Sequence, residues 1–328
     1  MNIFLNSKIL FFVFIFAFIC GIVLIKYLKP FLIQYFPDSP NKRSSHSSIK
    51  PRAGGVVFVL VTLIFTMIFN QDSLFLILIC SFLGLVSLID DKINLSSKLR
   101  YLAQLLVVIA LFLNSNLYQF LLTVDYQNSS LILICSFFII FISTGIINFI
   151  NFMDGLDGLV SGCMLVIIAT SFYLFQLNWL VPLLGSLLAF LLWNWDPSKL
   201  FMGDVGSTFL GAIFVAIIFS TGDIQKILGI ILVSSPILFD ALSCITRRIL
   251  NNQNIFKAHK LHLYQRLNQS GMNHSTVSIM YISSTILISV FMIFYGLTMA
   301  FTLSFLIIVL GIYLDRRMAI PFLIASRK

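Results

Sequence analysis

The 328 residues are 59% hydrophobic and only 10% charged, which excludes one or two soluble domains of ordinary composition. A formal charge of +9 would suit nucleic-acid binding in a soluble chain, but in one this apolar Lys and Arg set topology and hold anionic headgroups. All 12 acidic residues are aspartate, so every carboxylate with a chemical task is one of these.

Apolar runs mark about eleven helical spans, at 9–28, 54–70, 74–89, 101–113, 131–150, 159–175, 178–194, 205–221, 227–245, 276–295 and 299–314. Several must borrow from their flanks to cross a bilayer, so ten or eleven are expected. The fold class read here is an all-α, polytopic integral membrane bundle forming one domain over 1–328, with no internal repeat or low-complexity tract. No small-residue cleavage site follows the first apolar run, which therefore reads as an uncleaved span. With the N-terminus outside and the C-terminus in the cytoplasm, only Lys8 and Lys226 fall outside, and 19 of the 21 basic residues lie inside. The five cysteines (Cys20, Cys80, Cys135, Cys163, Cys244) sit in apolar runs without C-x-x-C spacing and read as small core residues.

The same topology sorts the acids. Asp90, Asp91, Asp154, Asp157, Asp196 and Asp204 fall at the cytoplasmic ends of spans. Asp240 is placed about 10 Å into the membrane from that face, counting back from Arg247 at about 1.5 Å per residue. Loops 29–53, 90–100, 151–158, 195–204 and 246–275 are thus expected to form the active-site surface.

Along the chain, residues 43–55 (R-S-S-H-S-S-I-K-P-R-A-G-G) bring basic and glycine residues suited either to phosphate or to close packing. Asp90 and Asp91 end the third span ahead of Lys92, Lys98 and Arg100. Helical neighbours point about 100° apart, so one carboxylate is expected to face a metal or substrate and the other to pair with a lysine. A solvated helix end is the plainer alternative, weakened because acids there oppose the helix dipole. Asn148, Asn151, Asp154 and Asp157 recur three apart and on a continuing helix form one polar ridge, a functional-site hypothesis beside a membrane span. Gly155 and Gly158 let backbone approach a ligand or a neighbouring helix. The stretch 196–207 (D-P-S-K-L-F-M-G-D-V-G-S) opens the eighth span. Alone, Asp204 reads as an N-cap; with the other carboxylates it suits a magnesium ligand holding a diphosphate. His259 and His262 share a face beside Arg266. With no Cys or Glu near them in sequence they make a poor zinc site and suit phosphate contacts or a basic surface helix.

In this order, D-D-K with Lys98 and Arg100, N-x-x-N-F-M-D-G-L-D-G-L, F-M-G-D-V-G-S and H-x-x-H resemble the polyprenyl-phosphate N-acetylhexosamine-1-phosphate transferases of glycosyltransferase family 4, over nearly the whole chain. S-S-H followed by P-R-A-G-G is most similar to the O-antigen-initiating branch. The peptidoglycan branch, phospho-N-acetylmuramoyl-pentapeptide transferase, usually carries three clustered histidines, which H-K-L-H lacks. Asp196 stands where that family often has an apolar residue or proline, and is given no role.

The resemblance implies that UDP-N-acetylhexosamine and undecaprenyl phosphate give the lipid-linked diphospho-sugar and UMP. It places the enzyme in a bacterial inner membrane, site facing the cytoplasm, and allows a homodimer. It implies Mg²⁺, with Mn²⁺ as a substitute, held by Asp204, and Asp90 or Asp91 orienting or deprotonating the lipid phosphate. Asn151, Asp154 and Asp157 would hold the nucleotide sugar, Phe201 would stack on uracil, and Lys98, Arg100, His259, His262 and Arg266 would contact phosphate or sugar. The chemistry agrees: joining two anions is mainly a matter of positioning and charge neutralisation. A transporter, the rival from another class, would hold its acids near the bilayer midplane between repeats.

Overall fold

The structure, a computed structural model, describes residues 7–38, 50–124, 129–255, 257 and 259–326. The His46 portion of the 43–55 stretch, and Lys42, Arg43, Arg327 and Lys328 of the charge count, lie outside the described residues.

Helices make up nearly all of it: α1 (Ser7–Tyr35), α2 (Val56–Phe69), α3 (Leu74–Ile93), α4 (Ser97–Leu113), α5 (Asn116–Val124), α6 (Ser129–Phe152), α7 (Leu159–Phe175), α8 (Val181–Asn194), α9 (Gly203–Phe219), α10 (Ile224–Val233), α11 (Ser235–Leu250), α12 (Leu263–Gln269), α13 (His274–Arg317) and α14 (Phe322–Ala325). One small antiparallel pairing joins β1 (Pro37–Asp38) to β2 (Lys50–Pro51). Runs this apolar must satisfy their own backbone groups, and a helix does so within one segment.

By length and composition, four helices among the described residues can cross a membrane: α1, α3 with the turn before it, α6 and α13. The number rises to six if the bent pairs α4–α5 (59°) and α10–α11 (73°) each count as one span. The remaining apolar helices, α2, α7, α8 and α9, are shorter. The chain is a multi-pass, all-α membrane protein, but eleven full-length spans are not what the helices themselves show. The predicted span 227–245 is two helices, because Pro236 has no N–H to extend α10 and instead opens α11. The break falls before Asp240, so Asp240 and Arg247 remain on one helix, α11. The predicted spans 276–295 and 299–314 both lie in α13, which breaks at Gly296 (φ 78°, ψ −170°), a conformation essentially confined to glycine. Both arms of α13 line one cavity, so the chain turns back on itself at that break.

Helix α9 is the axis of the bundle: every residue from Val205 to Phe219 is buried. A helix apolar on every face needs neighbours all round, and α9 has α2, α3, α4, α6 and α7. Large side chains on the outer helices, such as Phe12, Phe137 and Phe294, are exposed on the outside of the bundle, as a lipid-facing surface requires. Hydroxyl pairs tie spans together: Ser87 with Thr208 at 2.9 Å, Thr170 with Ser289 at 2.6 Å and Ser235 with Ser304 at 2.7 Å. Each contributes on the order of 1 kcal/mol. The axial helix begins at Gly203-Asp204, so the packing that buries α9 delivers Asp204 to the end of the bundle where α3 and α6 stop.

Candidate active site

Helix α3 ends because Asn94 adopts a left-handed conformation (φ 51°) and returns its N–H to the Asp90 carbonyl. That turn folds the chain over the Asp90 carboxylate, which accepts from Leu95 N–H at 2.6 Å and from Arg100 Nη1 at 3.0 Å. The partner is Arg100 and not a lysine; Lys98 is exposed. Asp91 is left with the other prospect: its Oδ2 is buried without a hydrogen-bond partner. The main-chain N–H of Asp204 faces the same carboxylate.

Asp204 is brought there by a glycine seam. Gly54 and Gly55 donate their N–H groups to the carbonyls of Phe201 and Met202, both at 2.9 Å, and Phe201 N–H returns to the Pro51 carbonyl at 3.0 Å. Gly203 (φ 71°) lies so close to Ala53 that a side chain there would strike its backbone, and would also approach Asp91 Oδ2. The P-R-A-G-G glycines thus serve packing. Asn151 donates to the Asp204 carboxylate and accepts from Ser207 Oγ at 3.2 Å. Asn148 is elsewhere engaged, bonded reciprocally to Gln104 at 2.7 and 3.2 Å between α6 and α4.

The polar ridge does not continue as a helix. Helix α6 stops at Phe152, and Met153–Gly158 form a turn that ends at Gly158 (φ 76°), packed on Trp195. Asp154 and Asp157 consequently meet different surroundings. Asp154 has no cationic partner among the described residues; burial first, then the charges of Asp204, Asp157 and Asp91, push its carboxyl up to about 8. Burial acts to raise Asp157 too, but His274, the Ser198 N–H at 3.0 Å and Lys50 Nζ at 3.9 Å hold it below the usual carboxylate range. Asp157 is an anchor, and Asp154 an acid waiting for positive charge.

His259 and His262 stack at 5.1 Å, and His262 lies over Tyr264 at 5.7 Å. Burial pushes His259 down to about 4, helped by His262 and Arg248, and lowers His262 as well. Both shifts disfavour the charged ring, which suits hydrogen bonds to a sugar or phosphate. Arg266 is consumed in holding the segment: Nε donates to Leu261 O at 2.9 Å, Nη1 to Ile320 O at 2.9 Å and Nη2 to Asp315. Asp240, 3% exposed, accepts from the N–H groups of Leu263 and Tyr264 at 2.7 and 3.1 Å, and so fixes the start of α12. Tyr264 Oη reaches the Phe152 carbonyl at 3.0 Å against Gly155, latching this segment to the Asp154 turn.

Sequence reasoning missed several residues. Buried Asn194 accepts from Gly158 N–H and Ser161 Oγ and donates to Leu200 O, joining the two acid-bearing stretches. Its signal was the polar run N-W-D-P-S after an apolar helix. Lys50 stands over the Phe201 ring at 5.1 Å, and Asp196 accepts from Ser275 N–H at 3.1 Å at the start of α13. Cys244 comes within 4.8 Å of His259 and His262, a proximity hidden by sequence separation. The positive charge of Arg247, Arg248 and Arg266 around it opposes a divalent cation.

A hard cation fits the other cluster better. Asp91, Asp154 and Asp204 offer only carboxylate oxygens, one of them a buried orphan, beside charges that repel one another. Among the described residues they do not close to a three-ligand set within 4.8 Å. Carboxylate oxygens are the donors Mg²⁺ takes, one or two at a time, with waters and substrate phosphates completing its shell.

The profile described as glycosyl transferase family 4 matches residues 73–222, the stretch holding Asp90, Asp91, Asp154, Asp157 and Asp204. A probable undecaprenyl-phosphate N-acetylglucosaminyl 1-phosphate transferase of Bacillus subtilis (strain 168) is 31% identical over 291 residues, 78% of this chain and 80% of that protein. This chain belongs to glycosyl transferase family 4. Other family members align as fully: the phospho-N-acetylmuramoyl-pentapeptide-transferase of Caldanaerobacter subterraneus subsp. tengcongensis is 31% identical over 86% of this chain and 95% of its own. The same-named Staphylococcus carnosus (strain TM300) protein is 29% identical over 82% and 94%. The resemblance read from the motifs therefore holds.

Proposed function

We propose that this family 4 transferase moves N-acetylhexosamine 1-phosphate from a UDP-sugar to undecaprenyl phosphate, releasing UMP and starting a lipid-linked envelope glycan. The observation that carries the reading is the cluster of Asp91, Asp154 and Asp204 at one end of an apolar bundle, with a buried Asp91 oxygen left without a partner. Such a site accepts positive charge and phosphate where a lipid headgroup already lies. The name of the Bacillus subtilis relative supports a hexosamine donor.

An oxygen of the lipid phosphate attacks the sugar-linked phosphorus, the bond from that phosphorus to the UMP phosphate breaks, and UMP leaves. Asp204 and Asp91, with Asp154, would hold Mg²⁺ (Mn²⁺ as substitute), which when bound neutralises the diphosphate. Asp91, with an oxygen to spare, faces the lipid phosphate, while Asp90 is clamped by Leu95 and Arg100 and positions the turn. Asn151 orients Asp204, Asp157 anchors the donor loop, and His259 and His262, whose burial disfavours the charged ring, face the sugar. Phe201 offers its ring to uracil, with Lys50 beside it for the diphosphate. Lys98 and Arg100 lie at the lipid-phosphate entrance, and Arg266 acts through the segment it holds. The site faces the cytoplasm of a bacterial inner membrane.

The test is UMP release by purified protein with Mg²⁺, undecaprenyl phosphate and a donor panel. Release with a UDP-N-acetylhexosamine is expected. Release only with UDP-N-acetylmuramoyl-pentapeptide moves the chain to the peptidoglycan branch, and solute uptake into vesicles with no UMP overturns the enzyme reading.

A further inference from the structure

Behind the histidine segment lies a cavity of about 410 Å³, within the size range of small-molecule sites. Its walls come from α11, α12 and both arms of α13, and none of Asp91, Asp154, Asp157 or Asp204 lines it. Much of the lining is apolar, from Phe239, Met280, Ile307 and Leu310 among others. Where α11 and α13 end, the lining changes to Arg247, Arg316 and Asp315, with Arg266 alongside.

The charges there do not cancel. Asp315 pairs with Arg247 at 2.5 Å and with Arg266. Arg316 is exposed and has no ion pair among the described residues. The other carboxylate of the lining, Asp240, is already saturated by Leu263 N–H, Tyr264 N–H and Tyr281 Oη. Three guanidiniums therefore share one outward carboxylate, and the planar fork of Arg247 keeps donors beyond its pair. An apolar cavity between membrane helices beneath a basic rim complements an anionic amphiphile, chain below and phosphate above.

We propose that this cavity binds an anionic membrane phospholipid, its phosphate at Arg247 and Arg316 and an acyl chain between α11 and the two arms of α13. The occupant is not the lipid that reacts. The lining holds none of the carboxylates assigned to transfer, and α12 stands between, with Tyr264 hydrogen-bonded to Phe152 on the far side. The site is independent of which sugar, or which reaction, the carboxylates serve.

Delipidated protein in a neutral detergent, titrated with phosphatidylglycerol or phosphatidylcholine and followed by native mass spectrometry and thermal melting, decides the matter. Saturable one-to-one binding of phosphatidylglycerol with a raised Tm is expected, and a much weaker response to phosphatidylcholine. Replacing Arg247 and Arg316 by Ala together should weaken phosphatidylglycerol binding on the order of tenfold or more. Gly311→Leu leaves every guanidinium in place and fills the chain space, since a Cβ there meets nothing nearer than Leu263 at 3.9 Å. It should abolish binding, and it decides alone if the arginine variant does not fold. Equal binding of both lipids, unchanged affinity in the variants, or one-for-one displacement of phosphatidylglycerol by undecaprenyl phosphate would overturn the proposal.

Discussion

Asp90 and Asp91 adjoin in sequence, but one carboxylate is capped by Leu95 N–H and Arg100 and the other keeps an oxygen without a partner. The same change should act differently on each. Asp91→Asn is expected to lower UMP release about a hundredfold or more while leaving the melting temperature near wild type, as loss of an electrostatic contact to the reacting group does. Asp90→Asn should cost about 1–3 kcal/mol of stability through the uncapped turn. Comparable stability losses in both would remove the distinction. Asp154 carries a pH signature: its carboxyl is raised to about 8, so the folded protein binds more protons than the unfolded chain between pH of about 4 and about 8. That contribution is complete below the unfolded value and fades as pH rises through the folded one. Thermal melts in EDTA should therefore show a falling Tm across that window, flattened by Asp154→Asn or by millimolar Mg²⁺; a slope unchanged by both would count against the cluster. At this scale the sequence named the acids but not their partners. Arg266 and Asp315 are 49 residues apart, and no local pattern says that they meet.

Among the elements, apolar runs were legible wherever lipid or core demands them, and the capping turns less so. The bend between α10 and α11 is hidden because the apolar run continues on both sides and only Pro236 marks it. On a continuing helix the polar ridge would share one face, but α6 stops at Phe152 and Gly158 with positive φ closes a turn within the loop expected at 151–158. The contact between α2 and α9 was foreshadowed by glycines at 54, 55, 203 and 206, whose spacing could not say what they pack against. A Cβ on Gly206 would collide with Met202 and Phe58 and press on the Gly55 Cα. Gly206→Ala should destabilise the protein by about 1–3 kcal/mol and shift Asp204 away from Asp91. Mg²⁺-dependent stabilisation should then weaken together with Tm; a variant with wild-type values of both would show the contact to be slack.

For the molecule as a whole, convergence of the acids was legible because Lys and Arg sort the loops, and each acid is then carried to the end of its span. Reporter fusions test that arrangement: a C-terminal green fluorescent protein should fluoresce and a C-terminal alkaline phosphatase should be inactive, with the opposite pattern reversing the orientation of the site. Span counting fared less well, since α9 needs no lipid-crossing length when protein surrounds it. Packing across the bundle, such as the approach of Cys244 to His259 and His262, depends on that three-dimensional arrangement and leaves no trace in spacing.

The seam between Gly55 and Gly206 has a consequence for how this protein can vary. When a side chain is enlarged in a packed core, a neighbour can often shrink to compensate. Here the opposing residue has already given up everything but its backbone, so no second substitution across the contact can restore the space. A selection for suppressors of Gly55→Ala should return true revertants and no changes at position 206. The relation is symmetric: a side chain gained at either position presses on the other's backbone, and a change at the other cannot repair it.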